Sequence, residues 1–491
     1  MSKRENDSAK YEYEGVEAEK KVRGYGTRHT QMILLFLSVC CVCFVRGCLT
    51  VAILGMTDGT LHNNATVQTF DWPKSIQGVI FSSSSWGELV ASPAGGYLIC
   101  KYGGKRFLTL TAIVGGALSL LTPLSAYLGG WKGVCFTRMC CGFCQSFIYP
   151  GIHYLLGKWV PVSERSRLGI FVYLGVSTAV ILVTPIAAYI ASSSLAWPWI
   201  FYFFGGLSIL NGLVWVRYGS DSPADHKTIS LEEKNFIEKS LGQENNLEKA
   251  SKQIPWREIL TSPPVLVLIL TQVGAFCGYC IMITETPTYF KLALGIELQD
   301  TGLLAALPSI ASLVVSVIVG FVADHLLNSG LLSPTAIRKL ANTLGTFGPA
   351  AALVALVYVP VGNVATAVSF VVLILAMDAF SAAGFMLNHL DLSTNYAAII
   401  SSVSLTISNI GSVAAPILTG FILKDPTDIT QWRTVFMMTA GSYFFGNVLY
   451  LIYGSGVEQP WNIIRVKSEN SKKSGEVYDL IPVKDSTTDQ N

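Results

Sequence analysis

Two arginines stand where their neighbours make a charge expensive. Arg46 lies in Cys43-Phe-Val-Arg46-Gly-Cys-Leu-Thr50 and Arg138 in Phe136-Thr-Arg138-Met, both inside long apolar runs. An ionisable group at a bilayer centre costs ~2.5–3.5 kcal/mol on insertion scales, so each needs a compensating partner. No acid is obvious beside either in the sequence. A guanidinium fork grips carboxylate or phosphate through two hydrogen bonds, so the pair is expected to await an anion. Snorkelling, or pairing with a helix carbonyl, is the alternative for both. Helical spacing sets Arg138, Gln145 and Tyr149 on one face, and Ser85, Glu88 and Ser92 on another. Glu88 is expected either to carry a coupling proton or to balance an arginine, as is Asp378. Glu285 and Asp324 fall near the ends of apolar runs.

These side chains need elements that hold them in lipid. Of 491 residues 51% are hydrophobic and 13% charged, with a mean hydropathy of +0.47, too little charge to cover a soluble protein. The apolar runs reach the ~20 residues that cross a bilayer, and such runs must be helical. About twelve spans are expected: 30–57, 75–100, 106–128, 131–160, 166–192, 197–218, 264–290, 300–325, 336–358, 364–388, 397–422 and 431–455. They divide into a disordered arm 1–29, a six-helix bundle 30–218, a polar segment 219–263, a second bundle 264–455 and a tail 456–491. The fold class expected is therefore an all-α membrane protein with the major facilitator arrangement. With a net charge of only +2, nothing points to nucleic acid and none is expected as a partner. The 11 cysteines sit in or beside apolar runs, where small apolar filling is expected and no metal site.

Lysine and arginine set the orientation. They crowd the amino-terminal arm, the loops holding Lys101, Lys105 and Arg106 and then Lys158, Arg165 and Arg167, and the central segment. Opposite loops are nearly bare, so both termini are expected in the cytoplasm. Asn64-Ala65-Thr66 is a glycosylation acceptor in the first outer loop.

The run Arg138-Met-Cys-Cys-Gly142-Phe-Cys-Gln145-Ser-Phe-Ile-Tyr149-Pro150-Gly-Ile-His153, then Lys158-Trp159-Val-Pro161-Val-Ser-Glu164-Arg165, resembles the anion:cation symporter family. Sialin, the vesicular glutamate transporters and the type I sodium–phosphate cotransporters form that group. Thr284-Glu285-Thr-Pro287-Thr-Tyr289, Gly384-Phe385-Met-Leu-Asn388-His389-Leu390-Asp391 and Gly456-Val-Glu458-Gln459-Pro460-Trp461 agree. The resemblance implies alternating access around a site where Arg46 and Arg138 attract the anion, with Gln145, Tyr149 and Tyr279 lining it. It implies gate or structural roles for Lys105, in the Gly95-Gly96 to Lys105 loop, and for Asp324, His153, Asn388 and His389. The chain departs from the family at Gln145, where proton-coupled branches tend to carry Glu, at Glu88, at Cys277-Gly278-Tyr279-Cys280 and at Ser404-Leu405.

The function expected is ion-coupled symport of a small anion, phosphate or organic, with sodium ahead of protons because of Gln145. Proton-coupled vesicular or lysosomal export of acidic sugars or amino acids is a second reading, and a non-transporting anion sensor a third. No enzyme is expected, since H-E-x-x-H and G-x-S-x-G are absent from the sequence. No cofactor is expected beyond the coupling Na+ or H+. The chain is expected to be a monomer, foremost in the plasma membrane, with an endosomal, lysosomal or vesicular membrane as the alternative. The string Glu476 to Ile481 fits an address read by sorting adaptors.

Overall fold

Long apolar segments in lipid satisfy their backbone only within themselves, and the chain is helical almost throughout. The structure, a computed structural model, describes residues 24–57, 68–193, 195–241, 254–296, 298–360, 362–425, 427–462, 466–467 and 478–479. The amino-terminal half holds α1 (Thr27–Thr57), α2 (Lys74–Tyr102), α3 (Gly104–Gln145), α4 (Ile148–Trp159), α5 (Arg165–Ser192) and α6 (Pro198–Tyr218). Two short helices follow, α7 (Leu231–Ser240) and α8 (Trp256–Thr261). The second half holds α9 (Pro263–Thr288), α10 (Leu298–Asn328), α11 (Pro334–Val357), α12 (Val364–Asp378), α13 (Phe385–Leu392), α14 (Ala397–Ile422) and α15 (Ile429–Tyr453). A two-residue antiparallel pairing joins Val466–Lys467 to Tyr478–Asp479. Asn64 and most of the Glu476 to Ile481 string lie outside the described residues.

Ten described segments are long and apolar enough to cross a membrane. One of them, Gly104–Trp159, is two crossings. Gly130, at φ 56° and ψ −147°, turns α3 back on itself in a conformation that glycine adopts without steric cost. The returning arm packs on the first, with the Thr111 hydroxyl donating to the Cys144 carbonyl at 2.7 Å. With α2, whose serines dilute its hydropathy, this makes twelve crossings. Tyr189, Phe421 and Phe445 stand exposed on the outer faces, where lipid rather than water suits them.

Two expected spans are broken. The fourth is interrupted at Ser146 and Phe147 because Pro150, lacking an N–H, leaves the Ser146 carbonyl without its helical donor. The tenth stops at Asp378, passes through a tight turn at Ala379–Ala382 and resumes as α13, so it ends at Leu392.

Across the halves α2 packs on α14, α5 on α10, and α4 on α14 and α13. The buried core at the end carrying Gly24 and Trp461, called the basic end below, mixes both halves: Ile152, Leu155 and Trp159 lie with Val319, Leu387 and Leu390. Toward the opposite end the cores separate. Leu49, Ile53, Trp197 and Phe204 belong to one half's core, while Met282, Tyr289, Trp432 and Phe436 belong to the other's. The bundles are therefore packed together at the basic end and have independent cores at the far end.

Candidate anion site between the bundles

Two close helix approaches build the site. A Cβ at Gly87 would stand 1.9 Å from the Met139 carbonyl oxygen, and one at Gly142 would stand 1.8 Å from that of Ser84. Nothing larger than glycine fits where α2 meets the returning arm of α3. That contact carries the neighbouring Glu88, 4% exposed, to the Arg46 guanidinium, with which it forms an ion pair. Arg46 also donates through Nη2 to the Gln145 Oε1 at 3.4 Å. Its side chain keeps 46% of its exposure. It faces the other half, since Cys280 of α9 lies within its electrostatic reach.

Arg138 does something else. It is 1% exposed, donates through Nη1 to the Val45 carbonyl at 2.7 Å and through Nη2 to the Arg46 carbonyl at 3.5 Å, and lies over the Phe201 ring. The expectation of two arginines facing one pocket is thereby corrected for this conformation: Arg138 braces the backbone that presents Arg46. Of the two readings of Glu88, the charge-balancing partner of an arginine is the one seen in this conformation, since Glu88 reaches Arg46 from another helix.

Tyr149, partly buried, stacks on Tyr173 at 6.3 Å between ring centroids. Tyr279 of α9 lies within electrostatic range of Tyr149 and Cys43 on one side and Asp378 on the other. Asp378 accepts a hydrogen bond from the Tyr443 hydroxyl at 3.1 Å, and among the described residues no cation pairs with it. The expected substrate and coupling residues thus form two groups: Arg46, Glu88 and Gln145 in one bundle, Asp378 with Tyr443 in the other, and Tyr149 and Tyr279 between them.

The expected gate residues gather at the basic end. Asp324 of α10 accepts the backbone N–H groups of Ser166 and Arg167 at 3.0 and 2.8 Å, capping α5 from the opposite bundle. His153 meets the Met386 carbonyl at 3.0 Å, and its ring lies 4.7 Å from that of His389. Asn388 donates to the Tyr450 hydroxyl at 2.6 Å within its own bundle. Lys105 takes part through its backbone, whose N–H donates to Asp221 at 2.7 Å. Burial pushes the Asp221 carboxyl above its usual range, against the pull of the Lys105 and Gly104 N–H groups.

Sequence reasoning missed a second polar link between the halves. Asp391 pairs with Arg165 of α5 at 3.3 Å and with Arg338 of α11 at 2.5 Å. Both Arg165 and Asp391 sit inside the family strings quoted above, but nothing local shows that they meet. Arg28 is similarly tied to Glu164 and Glu233, each at 3.0 Å, which docks α7 on the start of α1.

A bundle pair closed at one end around a midway charged site is a transporter's geometry, and the Major Facilitator Superfamily profile matches residues 35–411. The chain belongs to that superfamily, in its anion:cation symporter group. This symporter-group chain is 31% identical over 463 residues to a Drosophila melanogaster protein named "Putative inorganic phosphate cotransporter", covering 90% of this chain and 87% of that one. It is 30% identical over 446 residues to vesicular glutamate transporter 2 of Homo sapiens, covering 89% and 76%. Among solved structures it is similar to the proton:xylose symporter XylE bound to 6-bromo-6-deoxy-D-glucose. The TM-score is 0.61 at 12% identity, over 88% of this chain and 98% of that one, a likeness of fold.

Proposed function

We propose that this chain is a secondary active transporter that carries a small anion by alternating access, and that the anion competes with Glu88 for Arg46. The observation that carries this reading is the half-exposed Arg46 guanidinium held between Glu88 and Gln145. With Glu88 on it, Arg46 is charge-balanced and costs little in a low dielectric. An arriving carboxylate or phosphate takes the same fork, and the displaced Glu88 then needs a cation of its own. That cation is the coupling ion. Inorganic phosphate and small organic anions both suit one guanidinium flanked by an amide and tyrosines; the names of the relatives support this range.

Sodium is the first candidate for the ion, because the neutral Gln145 leaves one carboxylate beside Arg46 that can coordinate it. The second candidate is a proton, favoured by the Arg46–Glu88 pair itself: a displaced, desolvated carboxylate is a strong base. This second reading is proton-driven export of acidic sugars or amino acids from a vesicle or lysosome. The basic end is assigned to the cytoplasm on its lysines and arginines, so the conformation described is closed to the cytoplasm. The plasma membrane is the first assignment, and the working unit is a monomer.

The test is uptake of labelled phosphate, urate, glutamate and sialic acid by purified protein in liposomes, with sodium and pH gradients imposed separately. Uptake of at least one anion that stops in Arg46→Ala supports the reading. Binding without flux makes the chain a sensor, and full uptake by Arg46→Ala overturns the anion site.

A further inference from the structure

His153 is buried at the seam between the bundles, and both of its ring nitrogens face carbonyl oxygens. Nδ1 lies 2.9 Å from the Tyr149 carbonyl of its own helix, and Nε2 lies 3.0 Å from the Met386 carbonyl of the opposite bundle. A carbonyl can only accept. A neutral imidazole carries one N–H, so it satisfies one of these oxygens and turns a lone pair on the other. An imidazolium donates to both. The Tyr173 hydroxyl, 3.2 Å from Nε2, can donate to the neutral ring but does nothing for the Met386 oxygen.

The surroundings define what a proton would meet. Tyr149 flanks His153 on its own helix, Tyr173 faces it from α5 and His389 from α13. Among the described residues no ion pair involves it, and His389 is the titratable group within its electrostatic reach. Arg165 and Arg338 are both taken up by Asp391 in the last turn of α13. His389 is built differently: its Nδ1 shares the Met386 carbonyl at 3.1 Å, while its Nε2 is buried without a partner. One acceptor suffices for a neutral ring, so of the two histidines His153 alone has a geometry that a second N–H completes.

We propose that His153 is a proton-binding site of the transport cycle, and that its imidazolium locks the basic end by holding Met386 of the opposite bundle. With the Tyr173 hydroxyl donating to Nε2, the neutral ring keeps its proton on Nδ1, so protonation adds an N–H donor at Nε2 across a seam that must part when the cargo leaves toward the basic end. Acid therefore holds the closed seam and loss of the proton releases it. The site lies one helical turn beyond Tyr149, so the proton can arrive by way of the anion site. This inference rests on alternating access but on neither the cargo nor Arg46.

Hydrogen exchange of the purified full-length chain in lipid nanodiscs tests it without any cargo. Peptides covering Phe385–Leu392 are followed between about pH 4 and 8, a window that reaches below the ordinary histidine range, with labelling times scaled for intrinsic exchange. The wild type is expected to exchange on the order of tenfold more slowly at the acid end, the worth of a hydrogen bond from a charged donor. H153Q is expected to lose that pH response, and H389Q to keep it. Wild-type exchange that does not slow with acid overturns the proposal, as does a response that survives in H153Q or vanishes in H389Q. Should H153Q not fold, the wild type and H389Q decide. Because the readout is the seam, a chain that moves none of the tested anions leaves this result standing.

Discussion

Arg46 carries the anion reading, and Glu88 balances its charge. Arg46→Ala is expected to weaken anion binding at least about tenfold, the value of a charge-assisted hydrogen bond, read by isothermal titration with the anion found in the uptake screen. Glu88→Gln is expected to leave binding intact or tighter, since the competitor is gone, while flux ceases to respond to the driving cation gradient. Unchanged coupling in that variant would remove Glu88 from the mechanism. Arg138→Leu is expected to act on stability, because it removes a buried charge-assisted hydrogen bond to the Val45 carbonyl, worth about 1.5–3 kcal/mol. A lowered Tm in detergent checks this, and a loss of affinity with unchanged Tm contradicts it. The two arginines look alike in the sequence, each isolated in an apolar run. Their roles diverge because one points into the gap between the bundles and the other points at a neighbouring backbone, a difference of orientation that residue type does not encode.

At the scale of elements, glycines set distances that charges then exploit. Gly142→Leu is expected to push α2 off the returning arm of α3, since even a Cβ there would stand 1.8 Å from the Ser84 carbonyl oxygen. Loss of folded, monodisperse protein in size-exclusion chromatography is the expected result. Asp221 caps α3 from the stretch after α6, and burial raises its carboxyl above the usual range. A group with a raised folded-state value favours folding most when protonated and loses that contribution as pH rises through the shifted value. Asp221→Asn keeps an acceptor for the cap without the buried charge. Its Tm is therefore expected at or above that of the wild type near neutral pH, the two converging as the pH falls into the carboxylate range. A Tm well below wild type at neutral pH would show that the charge itself is needed. The membrane-crossing helices were legible from apolar run length. The breaks at Ser146 and after Asp378 were not, because hydropathy averages over a turn and does not register one missing hydrogen bond.

The whole molecule is two bundles joined at one end by polar links drawn from four helices. Asp391, Arg165 and Arg338 form one such link, and Asp324 capping α5 forms another. Asp391→Asn is expected to leave two buried guanidiniums undercompensated, an effect of about 3–5 kcal/mol on the closed arrangement. Faster hydrogen exchange in Arg165–Ser192 peptides is the measurement. Composition, run length and the placement of Lys and Arg determined the class of this protein: all helical, embedded in lipid, twelve crossings in two halves. These are properties of segments, fixed by the solvent each segment must face. Family strings supplied the anion as an expectation. Tertiary structure alone decided that Glu88 balances Arg46, that Arg138 serves the backbone and that Asp391 bridges the halves. Each of those contacts joins residues on different helices, and sequence order says nothing about which side chains two packed helices bring within a few ångströms.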